Sequence, residues 1–480
     1  MKIFSKLRFP LGILSVFLLF RLLSFKQRLG FGHDEDLAGW IIKDIVVNHH
    51  FRLIGQETSI GKLFIGPLFY YLEALYFLIF RMDPLAGFFL VFSISCLTFF
   101  SLLFVLNRLF NERVSLIGSF LYASSFGLSE YEHWVVPTQP TLLWTVWYFY
   151  GLIKLSQGDR RSLPLLLILI GLIWHIHIAF VPLLALLPVA FFLGRKSEKK
   201  APSLKLTIVS LVIFVGLISP LIVFEIKHNF IQTNGILQAA LTDRHEVSGL
   251  QRVAKVWDGF SLSLLQPFYY TRVAQEKILL QFLAAAILVF CLIRTRKSLG
   301  KLFPLVIGWG LLVLLGQLLS KRAISEYYFS NMTILYLAIV ALFLSRYRRL
   351  LIVFVSIVFL INLNLLFNNL KDNEGYIMRK EIVQRIQIEA RNYPCIGINY
   401  ITSPGKAAGF RYFFWLNNLK IVAPGNDVPT FSIVNPASYS SEVTFSRGNI
   451  GLILPGNFKL DPSVCNDPSR QLLNPLGYTD

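Results

Sequence analysis

A histidine and three consecutive carboxylates, His33-Asp34-Glu35-Asp36, follow Gly30 and Gly32 and precede the periodic stretch LAGWIIKDIVV. An acid in that setting suits a helix amino terminus, where it accepts backbone N–H bonds and meets the positive end of the dipole. One carboxylate suffices for that. Three together also offer a proton acceptor and a partner to orient it, which is what general base catalysis needs. A second acidic stretch, SEYEHW, supplies Glu130 and Glu132 beside His133. In WHIHIAF a helix would point His175 and His177 ~200° apart, so one is expected to face a cavity while the other packs or caps a bend, in preference to a shared metal. His33, His133 and His177 are the histidines expected to line such a cavity. The cysteines Cys96, Cys291, Cys395 and Cys465 show no CxxC spacing, so no metal framework is expected. Neither a GxGxxG nor a GxxxxGK loop is present. No cofactor follows from these residues, and a divalent cation is left open.

These side chains need elements to hold them, and the composition says which. Of 480 residues 55% are hydrophobic and only 15% charged, which excludes a soluble enzyme. The net charge of +19 sits in short basic clusters between long uncharged runs, the pattern of a polytopic membrane protein and not of a nucleic-acid binder. A span needs roughly 20 apolar residues. Residues 9–23, 85–107, 114–129, 137–153, 206–224, 278–293, 302–320, 327–345 and 350–370 qualify or nearly do, and 162–194 is long enough for two, giving about eleven spans. Segment 63–80 carries Gly66, Pro67 and Glu73. Read as a juxtamembrane or re-entrant helix, it leaves nearly every short basic loop on the cytoplasmic side. The amino terminus is then cytoplasmic, and 25–83, 228–277 and the carboxyl end face outward.

The expected fold is therefore mainly α: a membrane bundle over 1–370, followed by a small extracytoplasmic α/β domain over 371–480. Its short apolar runs (CIGINYI, FRYFFWL, NIGLILP) are broken by Pro, Gly and Asn. Cys395 and Cys465 both fall there and would pair in an oxidising compartment, or stay as two thiols.

A first span, an outer loop opening on Asp-Glu, an amphipathic helix and then TSIGKLFIGPLFYYL together resemble the GT-C membrane glycosyltransferases, the superfamily of protein mannosyltransferases and aminoarabinose transferases. The resemblance covers 1–370 and is strongest over 32–71. It implies transfer of a sugar from a polyprenyl-phosphate donor to an acceptor hydroxyl of a lipid, glycan or protein, at the outer face of an inner or plasma membrane. The first acid of the pair is the base in such enzymes, which carries over to Asp34, with Glu35 beside it; the second-loop acid would be Glu130 or Glu132. Donor phosphate would meet Lys62, Lys321, Arg322 and Tyr327. Aminoarabinose transferases place a lysine before the proline where this chain has Gly66, which weakens the assignment of Lys62. A polytopic transporter or flippase, and a polysaccharide polymerase or ligase using residues 228–277, are the rival readings. The absence of related halves and of charges deep in the spans argues against the first.

Overall fold

The computed structural model describes residues 2–197, 200–242, 248–270, 274–320, 324–371 and 374–471. Helices occupy every stretch read as a span. Among the described residues, five helices are long and apolar enough to cross a membrane: Leu85–Leu109, Leu204–Lys227, Ile278–Leu299, Tyr327–Leu344 and Arg348–Asn368. Others are shorter, among them Phe9–Leu22, Ile178–Gly194 and Phe303–Leu319. Segment 63–80 contains the 12-residue helix Leu68–Ile79, only about 18 Å long, against roughly 30 Å of hydrocarbon.

The bundle is organised around Ser330–Leu344, whose side chains are buried along its whole length, as befits a helix that is apolar on all sides. Helices Thr141–Ser156 and Glu112–Ala123 pack on it, and Trp144, Tyr148 and Trp309 interlock edge and face inside that core. By contrast Leu204–Lys227 and Arg348–Asn368 turn much of their apolar surface outward. Local signals fix several ends: Asn111 accepts from Val114 N–H at 3.0 Å, Ser203 from Leu206 N–H at 3.2 Å, and Pro164 stands in the first turn of Leu163–Ile176.

At the carboxyl end lies a five-stranded sheet built from β1 (Ile396–Thr402), β2 (Ile421–Val422), β3 (Thr430–Asn435), β4 (Phe445–Arg447) and β5 (Ile450–Ile453). The order is β2-β1-β3-β5-β4; β1 runs parallel to β2 and β3, while β5 pairs antiparallel with β3 and β4. The helix Tyr376–Glu389 buries Ile382, Val383 and Ile386 beside it. Cys395 and Cys465 form a disulfide, closing a loop of 70 residues. The apolar core under this sheet does not stop at the domain edge. Leu29, Phe31, Ala38 and Ile41 from the first loop belong to the same cluster as Ile382, Phe410 and Phe413, so the carboxyl-terminal part and the acid-bearing loop share one interior.

Candidate active site

The three adjacent acids sit in the first turn of the helix His33–Val46 and have three different employments. Glu35 is buried and caps its own helix, its Oε2 accepting from Gly32 N–H at 2.7 Å; Oε1 has no partner among the described residues. Burial pushes its carboxyl up to about 7. Asp36 reaches across to the carboxyl-terminal part, where its Oδ1 accepts from Tyr412 N–H at 2.8 Å and so caps the helix Arg411–Leu416. Burial raises it to about 6. One turn on, Gly39 lets the Tyr412 ring lie against the helix, since a Cβ there would stand 2.6 Å from that ring. Thus the terminal domain holds the acid helix by a cap and a flush ring contact.

Asp34 is left over. It is half-buried, its pKa is raised, chiefly by desolvation, and the groups that favour its charge are His33 and a hydrogen bond from Gln56. Gln56 is itself oriented, because its Oε1 accepts from Tyr70 O–H at 3.0 Å. Among the described residues no Lys or Arg forms an ion pair with Asp34. A carboxylate partly stripped of water, oriented by an amide and free of a cation is a competent proton acceptor.

Beside this loop, where helix ends converge, opens a cavity of about 420 Å³ whose walls include Arg28, Gly30, Glu130, His133, Trp134 and Tyr327. Asp34 is not itself on that wall; its charge acts on the Tyr327 phenol, which is. The second-loop acids are placed differently from one another. Glu130 lines the cavity but is bound by Arg28, with Nε–Oε1 at 2.8 Å. Glu132 is buried away from it, paired with Arg21 at 2.8 Å and accepting from the Tyr122 hydroxyl. Of the two, Glu130 alone faces the space a substrate could use.

Of the three histidines expected to line the cavity, His133 does, while His33 and His177 are not on its wall. His175 packs, its Nε2 donating to Leu217 C=O at 2.7 Å and its ring filling the space a side chain at residue 66 would take, 2.1 Å from a Cβ there. That contact is why Gly66 precedes the proline. His177 caps the bend, its Nδ1 accepting from Ala179 N–H at 3.0 Å, and its ring meets Tyr327 and Tyr328. His133 lines the cavity with Nδ1 2.6 Å from Ser129 C=O. Burial pushes its pKa down to about 3, so the ring is a neutral imidazole. His33 is exposed beside Asp34.

Lys62 is not brought to this cavity. It stands at a positive-φ turn (φ 65°) in a separate polar recess with His228, Asn234 and Gln238. Lys321 and Arg322 lie outside the described residues. Among the described residues, the cation that lines the cavity besides Arg28 is Lys371, just after the last long helix, together with Tyr269 and Tyr270. The sequence reading missed these. Among the described residues no three His, Cys, Asp or Glu side chains converge in a way that could hold a metal.

Against known structures, the chain superposes on ArnT from Cupriavidus metallidurans bound to undecaprenyl phosphate, with a TM-score of 0.62 over 95% of this chain and 99% of that one, at 12% identity. The same protein in its apo state gives a TM-score of 0.58 over 92% and 98%, at 11% identity. The fold is that of ArnT. An oligosaccharyltransferase from Archaeoglobus fulgidus matches at a TM-score of 0.48, 13% identity, over 88% of this chain and 67% of that one. No protein-family model and no curated protein matches the sequence. The match to ArnT runs over nearly the full length of both chains, so the carboxyl-terminal domain belongs to the shared fold together with the bundle.

Proposed function

We propose that this chain is an integral membrane glycosyltransferase that moves a sugar from a polyprenyl-phosphate donor to an acceptor hydroxyl, with inversion, and that Asp34 is the general base. The observation that carries the reading is the employment of the three adjacent acids: of Asp34, Glu35 and Asp36, Asp34 is the one that caps no helix and, among the described residues, pairs with no cation, while its charge acts on Tyr327 at the cavity wall. ArnT, whose fold this chain shares, was crystallised with undecaprenyl phosphate. A sugar on such a carrier is confined to the membrane surface, the depth at which helix ends and loop acids meet.

In the proposed step the acceptor oxygen attacks the anomeric carbon while its proton passes to Asp34, and the bond to the lipid phosphate breaks on the opposite face. The departing phosphate carries the electron pair and needs positive charge beside it. Lys371 lines the cavity and is suited to that role, with Tyr327 as a hydroxyl donor. Arg28 spends its guanidinium on Glu130, Ser129 and the Phe20 carbonyl, so it shapes the wall and is not free to meet a phosphate. Glu130, with its charge already balanced by Arg28, is the weaker base. The topology that fits has about eleven spans, a cytoplasmic amino terminus, and the 371–480 domain outside; the Cys395–Cys465 disulfide supports an oxidising surrounding for that domain.

The test is reconstitution of the purified chain in vesicles containing a lipid-linked sugar. The reading predicts cleavage of the sugar–phosphate bond with release of polyprenyl phosphate once an acceptor is present. Movement of the lipid-linked sugar across the bilayer with the bond intact would instead establish a flippase.

A further inference from the structure

Away from the cavity just described, the helices Thr141–Ser156, Leu163–Ile176, Leu186–Gly194 and Leu204–Lys227 enclose a groove of about 590 Å³. Apart from Thr207, every described side chain on its walls is apolar, Leu163, Leu167, Ile170, Phe191 and Phe192 among them. It shares no lining residue with the Asp34-side cavity. Phe191 and Phe192 are exposed at 44% and 59%, which is costly in water and natural against hydrocarbon.

Two guanidiniums lie on these two rings: Arg160 is 4.9 Å from the Phe191 centroid, and Arg195 is 3.7 Å from that of Phe192. They are brought to one end of the groove because the turn after Thr141–Ser156 touches the end of Leu186–Gly194. A Cβ at residue 194 would lie 2.2 Å from the Leu155 carbonyl, so only glycine permits the approach. The nearby acid Asp159 is taken by Arg161, at 2.9 and 3.1 Å. Among the described residues neither Arg160 nor Arg195 is ion-paired. With Arg161, Lys196 and Lys200 in the same two turns, that end of the groove is strongly positive.

We propose that this groove is a binding site for an anionic phospholipid, one acyl chain lying along Leu163, Leu167 and Ile170 and the phosphate held by Arg160 and Arg195. An apolar slot alone would accept any lipid tail. Two planar, unpaired donors at its end select a phosphate-bearing, net-negative head, since guanidinium forks match phosphate oxygens, and basic pockets between membrane helices on the cytoplasmic side are where such heads bind. The site does not depend on the glycosyl-transfer reading.

The experiment is a titration of the full-length chain in neutral detergent with phosphatidylglycerol, phosphatidylcholine, polyprenyl phosphate and inorganic phosphate, read by native mass spectrometry and thermal unfolding. The expected result is a saturable, single phosphatidylglycerol adduct that raises the unfolding temperature, while phosphatidylcholine and inorganic phosphate have little effect and polyprenyl phosphate, held in the other cavity, binds alike in the parent and in the substituted chains. Replacing both cations (Arg160→Gln with Arg195→Gln) should weaken that adduct roughly thirtyfold, taking each surface cation at its usual contribution. Leu167→Trp, which fills the groove and leaves the charge intact, should weaken it as well. Equal stabilisation by phosphatidylcholine or by inorganic phosphate would overturn the proposal, and so would a phosphatidylglycerol adduct indifferent to both sets of substitutions.

Discussion

The first loop and the second loop each present acids at the same end of the bundle, and they treat them in opposite ways. Glu130 and Glu132 are each matched by an arginine from the end of the first helix or the short turn after it, Arg28 and Arg21, in pairs whose cations are almost fully buried. Among the described residues Asp34, Glu35 and Asp36 have no such cation; backbone N–H groups and an amide serve them instead. Paired acids are stitches: they join the first helix to a loop more than 100 residues away. The acid left without a cation or a cap keeps its proton affinity for use. On the proposed function, the difference gives architecture to Glu130 and Glu132 and chemistry to Asp34.

Substitutions can break or sharpen this contrast. The largest stability effect is expected from Glu132→Gln, which strands the buried Arg21; losing one partner of a buried pair costs about 3–5 kcal/mol, read as a lowered unfolding temperature in detergent. Next comes Glu35. Its carboxyl is raised from 4.5 to about 7 by burial, so between those values the unfolded chain has released a proton that the folded chain retains. Stability should therefore be full below about pH 4.5, fall as pH rises towards 7 and level off above, by on the order of 3 kcal/mol. Subtracting the Glu35→Gln profile from that of the parent isolates this slope, and parallel profiles would refute it.

Gly39→Ala drives a methyl group into the Tyr412 ring, an overpacking worth about 1–3 kcal/mol. It should lower turnover more than donor affinity, because the helix carrying Asp34 shifts, and combination with Tyr412→Ala should be less than additive. The smallest change is expected for Lys371→Ala: roughly a tenfold rise in KM for the lipid donor, the value of one charged hydrogen bond. An unchanged KM would remove Lys371 from the phosphate.

Much of this was legible in the chain. Uncharged runs mark the helices because a membrane span tolerates little else, and the Asp-Glu pair after the first run, with Gly66-Pro67, pointed to the shared fold. The short helix at 68–79 was also readable, since Pro67 and Glu73 interrupt the apolar pattern. The pairings were not. Arg21 lies within the first apolar run and Arg28 just beyond it, and a charge there demands a partner, but sequence separation hides which of Glu130 and Glu132 each would take. The cap of the Arg411–Leu416 helix by Asp36 spans 376 residues and depends wholly on tertiary packing. Lys62 looked like a phosphate ligand because it precedes the Gly-Pro motif, yet the turn at Gly61-Lys62 carries it into another recess.

The direct test sets the two loops against each other: sugar-transfer rates of Asp34→Asn and Glu130→Gln, measured in the same vesicles per folded molecule. A positioned general base contributes about two to four orders of magnitude, so Asp34→Asn should lose that much turnover with donor KM little changed, and Glu130→Gln should retain the larger rate. Transfer that survives in Asp34→Asn, or that disappears only in Glu130→Gln, would contradict the division.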